Sequence, residues 1–289
     1  MKLAVIGTGL LGSEVAIRLQ DRNFKTSVWN RSPEKAKALA TVGIQPCVTI
    51  ADALAASDAA LLFLSDAAAI RAVLWPSDGS EQPALTDRII IQMGTIAPRE
   101  SRALSRDIER AGGQYLEAPV LGSLPEARSG RLIVMAGGEL GLYEHCLPIF
   151  EALSEQPQRI GEVGQGAALK LAMNQLIIGL TATFSYSLGL VRAEGVDVEQ
   201  FMGLLRQSAL YAPTFDKKLA KYLSHDYGQA NFPLKHLRKD LGLFRGVAEQ
   251  STMDTAPLAA LETILQRALE QGLGDLDYSA LYEPLVAGR

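Results

Sequence analysis

An ammonium and an amide stand four residues apart at Lys170 and Asn174, within Gly164-Gln165-Gly166-Ala167-Ala168-Leu169-Lys170-Leu171-Ala172-Met173-Asn174. This stretch heads an otherwise apolar helical pattern. Residues i and i+4 share one face of a helix, so both groups point at whatever that face meets. Such a pair suits hydride transfer to a carbonyl. The oxygen needs a donor that steadies the negative charge building on it and then delivers a proton. A lysine starts protonated near neutral pH without tuning, its reference pKa being about 10.4. Asn174 would hold the ammonium or a substrate oxygen by neutral hydrogen bonds, leaving the charge uncompensated. Taken alone, Lys170 reads as a helix lysine whose stem lies on apolar surface while its head reaches water, and Asn174 as an ordinary polar helix residue. Position favours chemistry: the helix opens where the chain changes texture, at an expected domain junction, and ligand clefts form at such junctions.

A cofactor for that chemistry is signalled near the start of the chain. Gly7-Thr8-Gly9-Leu10-Leu11-Gly12 follows a strand pattern directly and opens a helical one. A bare GxGxxG is weak; this one has the context the mechanism needs. Gly7 permits the tight turn, Gly9 lets backbone approach a pyrophosphate, and Gly12 lets the helix pack close to the sheet. The positive end of the helix then meets the phosphates. At the end of the second strand, where a carboxylate would bond the ribose 2′-hydroxyl of NAD, the chain has Trp29-Asn30-Arg31-Ser32. Arg31 can pair with a 2′-phosphate, and Asn30 and Ser32 can add hydrogen bonds, so the cofactor expected is NADP, as NADPH rather than NADH. The plainer alternative is a solvated loop arginine followed by a helix cap at Ser32.

A second polar cluster is Phe232-Pro233-Leu234-Lys235-His236-Leu237-Arg238-Lys239-Asp240. Lys239 and Asp240 are neighbours and do not share a helix face, so one is expected toward the cofactor while the other braces the fold. Cations around a helix start are also often merely solvated. His145, His225 and His236 have no triad-like context. The chain has no HExxH spacing and no nucleophile elbow, so no metal is expected.

Short apolar runs alternate with helical patterns through the first half. Strands are expected at Leu3–Ile6, Thr26–Trp29, Ala59–Leu64, Arg88–Met93, Gln114–Leu116, Leu132–Ala136 and Gln158–Ile160. Helices are expected at Leu10–Gln20, Pro33–Ala40, Arg99–Ala111 and Gly141–Leu153. Fully apolar strands each covered by a helix indicate a mostly parallel, doubly wound sheet buried on both faces. After Gly166 strand patterns vanish, and helices are expected over roughly 166–194, 197–208, 214–224, 235–251, 256–272 and 278–285. The organisation expected is an α/β Rossmann domain over 1–162 and an all-α domain over 163–289 that begins with a long interdomain helix.

The 289 residues suit two domains. With 28 Lys+Arg against 32 Asp+Glu the charge is near balance, which gives no basis for a nucleic-acid partner or a membrane surface. Cys47 and Cys146 have no metal-type spacing and are expected to be reduced. The apolar run after Met1-Lys2 ends at a glycine turn too early for a signal-peptide core. Runs such as Leu176–Leu180 fall short of the roughly 18 residues that cross a bilayer. The expectation is a soluble, cytoplasmic protein.

Taken together, these motifs resemble those of the β-hydroxyacid dehydrogenases, and within them the glyoxylate/succinic semialdehyde reductases of plants and bacteria. The similarity runs nearly end to end. It includes Gly7–Gly12, Asn30-Arg31-Ser32, Leu64-Ser65-Asp66, Glu117-Ala118-Pro119-Val120, Gly164-Gln165-Gly166 to Lys170 and Asn174, Phe232-Pro233-Leu234-Lys235-His236 with Lys239-Asp240, and Gly272-Leu273-Gly274-Asp275-Leu276-Asp277-Tyr278-Ser279-Ala280. The resemblance implies a Rossmann domain followed by a helical domain, with Lys170 as the catalytic lysine and Asn174 as its partner. It places Thr95 and Lys239 along the nicotinamide, Leu64 and Ser65 beside the cofactor, and Phe232 and Asp240 near the reacting centre. It implies small aldehyde or keto-acid substrates reduced to hydroxyacids, and a homodimer or homotetramer formed through the helical domain.

Two departures bear on the substrate. Where the family supplies a serine that donates to a substrate carboxylate, this chain has Leu121, and the usual Met-Ser-Thr reads Met93-Gly94-Thr95. A lost donor costs about 1–3 kcal/mol of recognition if the acceptor is left unpaired, which backbone amides at Gly122 and Ser123 would offset. Leu121 makes the pocket more apolar and admits a bulkier or less charged carbonyl. Besides an aldehyde reductase, two readings stand: an imine reductase, since related folds reduce C=N bonds, and a non-catalytic NADP-binding regulatory or scaffold protein.

Overall fold

Strands whose every residue is apolar must be covered on both faces, and the first half of the chain solves this with one sheet between two helical layers. The computed structural model describes residues 1–79 and 81–286. These form two compact units, Met1–Leu171 and Ala172 onward. In the first, chain order is β1 (Lys2–Ile6), α1 (Leu10–Asp21), β2 (Lys25–Trp29), α2 (Pro33–Lys37), β3 (Gln45–Pro46), α3 (Ile50–Ala55), β4 (Ala59–Leu62), α4 (Ala67–Leu74) and β5 (Ile89–Gln92). Then come α5 (Pro98–Arg110), β6 (Gln114–Glu117), β7 (Val120–Leu121), α6 (Leu124–Ser129), β8 (Ile133–Gly137), α7 (Leu140–Leu153) and β9 (Gln158–Gly161).

The strands lie in the order β3-β2-β1-β4-β5-β6-β8-β7, with β9 paired to β8. From β3 to β6 every pairing is parallel. β8 runs antiparallel to β6 and β7, so the sheet is mostly parallel, as its apolar runs imply. Alternation along β1 divides the core: Leu3 and Val5 pack with Val15 and Leu19 of α1, whereas Ala4 and Ile6 pack with Ile70 of α4 and Leu104 of α5. β1 sits between β2 and β4, so the strand order reverses there. Ligands of such sheets lie outside the carboxyl ends of the strands at that reversal.

The helical half is α8 (Gln165–Ala193), α9 (Val198–Gln207), α10 (Pro213–Ser224), α11 (Leu234–Gln250), α12 (Ala256–Glu270), a 3₁₀ turn at Tyr278–Leu281 and α13 (Tyr282–Val286). Its core gathers Ile178, Leu188, Met202, Tyr222 and Leu237 around Phe184, whose ring stacks on Phe215 at 4.5 Å. A buried ion pair ties α10 to the last turn: Lys218 Nζ lies 2.8 Å from both oxygens of Asp277, which also accepts from the hydroxyl of Ser279. Removing one member of such a pair leaves an uncompensated buried charge.

The structure adds short elements that lack a periodic signature: β3, α3, α4, β7 and α6. It also ends β4 at Leu62; Phe63 still donates its N–H to the carbonyl of Ile6 at 2.8 Å, and its own carbonyl and the Leu64 side chain lie against the glycine turn after β1. Among the described residues, α8 alone is long and apolar enough to cross a bilayer by length and composition, with a mean hydropathy of 1.4 in its best window. The individual apolar runs are short, as expected; averaging over a full window hides the breaks. The helix serves as a core helix, burying Ile178, Ala182, Phe184 and Leu188, with Thr181 and Ser185 returning their hydroxyls to its own carbonyls.

Candidate active site

The turn after β1 has the shape that its glycines demand. Gly7 takes φ +98°, and a Cβ there would run into the carbonyl oxygen of Phe63; one at Gly12 would run into the carbonyl of Gly7. Gly9 is the reverse case: a Cβ would meet nothing. It occupies the N-cap of α1 with no side chain capping the first turn, so those N–H groups are left to an anion. Thr8 Oγ1 is buried with no hydrogen-bond partner among the described residues. Leu10 is exposed at the mouth of the turn and Leu11 half-buried behind it. A helix end without a cap, an open glycine and an orphaned hydroxyl fit a pyrophosphate here.

Asn30 links the glycine turn to the loop after β2. Its Oδ1 accepts from the N–H of Thr8 at 3.0 Å, and its Nδ2 donates to the carbonyl of Ser32 at 3.1 Å. Both ends of the amide are thus spent joining the glycine turn to the loop after β2. Arg31 is exposed on that loop. Ser32 stands at the N-cap of α2, but its hydroxyl makes no capping bond, contrary to the alternative reading of it as a cap.

At the carboxyl ends of β4 and β5, Ser65 donates its hydroxyl to Asp66 at 2.8 Å, and Asp66 caps α4 through the N–H of Ala69. Thr95 is half-buried one residue past Gly94. A Cβ on Gly94 would stand 2.6 Å from the carbonyl oxygen of Leu64 and 3.2 Å from Nε2 of Gln92. The missing serine hydroxyl therefore reflects a site with no room for a side chain. Beyond β6, Leu121 is half-buried and Gly122 is exposed at φ +132°. Both the N–H and the hydroxyl of Ser123 go to Glu126, at 2.7 and 2.6 Å, in the capping box of α6. The N–H of Ser123 is therefore already engaged and is not the spare donor the sequence offers.

Lys170 lies on the second turn of α8 and is buried, with 9% of its surface exposed. The first turn rests on Glu117, the last residue of β6, which is fully buried. Oε1 of Glu117 accepts from the N–H of Gly164 at 2.8 Å and of Ala167 at 3.0 Å, while Ser101 donates its hydroxyl to Oε2. Burial pushes the Glu117 carboxyl above the usual range, and the Ser101 hydroxyl and the N–H groups of Ala167, Gly164 and Gly166 pull it back.

In the helical unit Asn174 is 2% exposed and donates Nδ2 to Oδ2 of buried Asp240 at 2.6 Å. Its Oδ1 has no hydrogen-bond partner among the described residues. A carboxylate thus holds one end of the Asn174 amide. Lys239 and Asp240 do not part company as neighbours on a helix should: the lysine folds back to place Nζ 3.1 Å from Asp240 Oδ1, an ion pair outside hydrogen-bond alignment. Phe232 is half-buried, its ring stacked on His236 at 6.4 Å. Burial, then the charge of Lys239, push the imidazole of His236 below its ordinary range.

Comparison with known proteins decides the family. Residues 2–164 match the family described as the NAD binding domain of 6-phosphogluconate dehydrogenase, and residues 164–285 the NAD-binding of NADP-dependent 3-hydroxyisobutyrate dehydrogenase. The chain is 30% identical to glyoxylate/succinic semialdehyde reductase 1 of Arabidopsis thaliana over 289 residues, covering all of both chains. It belongs to the β-hydroxyacid dehydrogenases. Members of that family are NAD(P)-dependent oxidoreductases of the CH–OH/C=O pair, and this enzyme is one of them. The fold agrees: 3-hydroxyisobutyrate dehydrogenase from Salmonella typhimurium superposes with a TM-score of 0.85 at 19% identity, over 98% of this chain and 99% of that one. An imine reductase from Myxococcus stipitatus in complex with NADP+ superposes at 0.65 and 21% identity, over 99% and 100%.

Two buried polar residues of this β-hydroxyacid dehydrogenase, at the ends of neighbouring strands β5 and β6, carried little signal in the sequence. Glu117 belonged to a matching motif, but nothing in one sequence says that a strand-end glutamate receives the head of a helix about fifty residues later. Gln92 carried no signal beyond a lone polar residue ending an apolar strand. Its amide is buried without a hydrogen-bond partner among the described residues.

Proposed function

We propose that this enzyme is an NADPH-dependent reductase of small aldehydes of the glyoxylate or succinic semialdehyde kind, which it converts to hydroxyacids with Lys170 as proton donor. The observation that carries the reading is the burial of Lys170 four residues before a buried Asn174 on one helix. A surface lysine would keep its head in water; this one is withdrawn from it, where an ammonium acts more strongly on developing charge. The relative from Arabidopsis thaliana carries the glyoxylate and succinic semialdehyde activities in its name.

A bound nicotinamide supplies the hydride to the carbonyl carbon. Lys170 steadies the oxygen as charge builds and then gives it a proton. Asn174, its Nδ2 committed to Asp240, offers Oδ1 as the acceptor that orients the ammonium or the product hydroxyl. We assign Thr95, Leu121, Gly122, Ser123, Phe232 and Asp240 to substrate binding, and Ser123 acts there by shaping its loop, its donors being engaged by Glu126. Along the cofactor lie the Gly7–Gly12 turn, Leu64, Ser65, Thr95 and Lys239. Arg31 pairs with the 2′-phosphate and sets the preference for NADPH, on a loop without a carboxylate. Asn30 contributes by holding that loop to the glycine turn.

Leu176, Tyr186 and Leu190 leave an apolar stripe exposed on α8, and a second copy of the chain covers it. Light scattering at 31.0 kDa, the mass of one chain, would rule that out. The test of function is steady-state NADPH oxidation with glyoxylate, succinic semialdehyde and uncharged aldehydes. Turnover with these and little with NADH is expected. NADPH binding without oxidation of any carbonyl overturns the proposal.

A further inference from the structure

The structure assigns Glu117 as a positioning residue for the reduction: its carboxylate is the seat on which the first turn of α8 is docked, and the seat sets where Lys170 is presented. The inference rests on the reading of Lys170 as proton donor and goes beyond it by naming what holds that lysine in place.

The first N–H groups of a helix have no partner inside it and are ordinarily met by a cap from just upstream in the chain. Here the partner comes from the sheet. Oε1 of Glu117 takes the N–H of Gly164 and of Ala167, 47 and 50 residues further along. The other oxygen receives the hydroxyl of Ser101, whose Oγ lies 2.8 Å from the hydroxyl of Tyr115. Ser101, Tyr115 and Glu117 are all buried. Every group on the carboxylate is a donor, which is the environment of an anion, and an anion belongs at the positive end of a helix.

Neighbouring residue types fit the seat as well. A Cβ on Gly137 would stand 2.5 Å from Glu117 Oε1; one on Gly166 would stand 3.2 Å from the same oxygen and collide with the carbonyl of Met135. Any larger residue at either position would push the helix head off the carboxylate. Lys170 is three residues past Ala167, less than one turn, and helical side chains lean back toward the N-terminus. Its stem therefore hangs over the seated turn, and a shift or rotation of that turn moves the ammonium directly.

A purely structural carboxylate and a positioning one are separable. If Glu117 only stabilises the fold, weakening it lowers Tm but leaves kcat per folded enzyme unchanged. If it positions Lys170, kcat falls while NADPH affinity, to which Glu117 contributes no group, does not. The experiment measures kcat, aldehyde KM, NADPH Kd and Tm for Glu117→Ala, Glu117→Gln, Ser101→Ala and Lys170→Ala. Glutamine keeps an acceptor oxygen for Gly164 and Ala167, so it should restore most of the kcat that alanine loses. Ångström-scale displacement of a reacting group costs up to about a hundredfold, so Glu117→Ala should lose roughly ten- to a hundredfold in kcat at unchanged NADPH Kd. Ser101→Ala, which frees one oxygen only, should fall between glutamine and the native enzyme or alongside glutamine. If Glu117→Ala does not fold, Gly166→Ala, which pushes the helix head off the same carboxylate, decides: a kcat deficit at unchanged Kd supports the assignment, and native kcat overturns it. A lifeless Lys170→Ala beside a fully active, folded Glu117→Ala sinks the positioning role alone; an active Lys170→Ala sinks the reading beneath it.

Discussion

Asn174 gives its side-chain N–H to Asp240 across 2.6 Å inside the helical unit, and that one bond decides which end of the amide is left over. An amide has two donors and one acceptor group, and its orientation is set by its partners. With a buried carboxylate on Nδ2, Oδ1 is the end without a hydrogen bond among the described residues. In the mechanism we propose, Asp240 acts through Asn174, leaving Oδ1 to accept from a donor on the reacting side.

Removing the carboxylate should release the amide. For Asp240→Ala the expected loss in kcat/KM is about five- to a hundredfold, the price of a buried polar group left unpaired. Asp240→Asn keeps an acceptor for Asn174 and should lose much less. Steady-state kinetics on both variants checks the order. Equal losses would show that the charge of Asp240, and not its grip on Asn174, is what matters.

Arg31 is expected to discriminate between the cofactors. It is exposed on a loop tied to the glycine turn by Asn30, and it faces no carboxylate in that loop. Charge-assisted hydrogen bonds contribute about 1.5–3 kcal/mol. Arg31→Ala should therefore raise the Kd of NADPH by roughly ten- to a hundredfold while leaving that of NADH nearly unchanged. Titration of nicotinamide fluorescence reports both, and equal weakening would remove the 2′-phosphate from the account.

Leu121→Ser should move specificity toward carboxylated aldehydes. The hydroxyl restores one donor, and a net hydrogen bond contributes about 0.5–1.5 kcal/mol, so kcat/KM for glyoxylate relative to an uncharged aldehyde should rise by about two- to twelvefold. Gly94→Ser should not help, because its Cβ would meet the carbonyl of Leu64 at 2.6 Å. An unchanged ratio in Leu121→Ser would place the substrate carboxylate elsewhere.

How much of this was legible beforehand varied with the range of the interaction. Apolar runs such as Ile89–Ile91 and glycines such as Gly7 and Gly12 speak for themselves, because their constraints are local: burial on two faces, or no space for a Cβ. The four-residue step from Lys170 to Asn174 was readable for the same reason. Elements with no periodic signature, such as α4, whose run Ala67-Ala68-Ala69-Ile70 is apolar on every side, were not. Partnerships across the chain were invisible too. Nothing near Glu117 announces Gly164 and Ala167, and nothing near Asn174 announces Asp240, 66 residues away. The engagement of Ser123 by Glu126 is different: the capping box lies in plain view in Ser123-Leu124-Pro125-Glu126, and reading it would have removed Ser123 as a spare donor.

The most direct test is NADPH oxidation by Lys170→Ala, with NADPH binding measured on the same preparation. The account predicts a loss of turnover of at least about a hundredfold at an unchanged NADPH Kd. Turnover at the native rate, with the aldehyde still reduced, would contradict it.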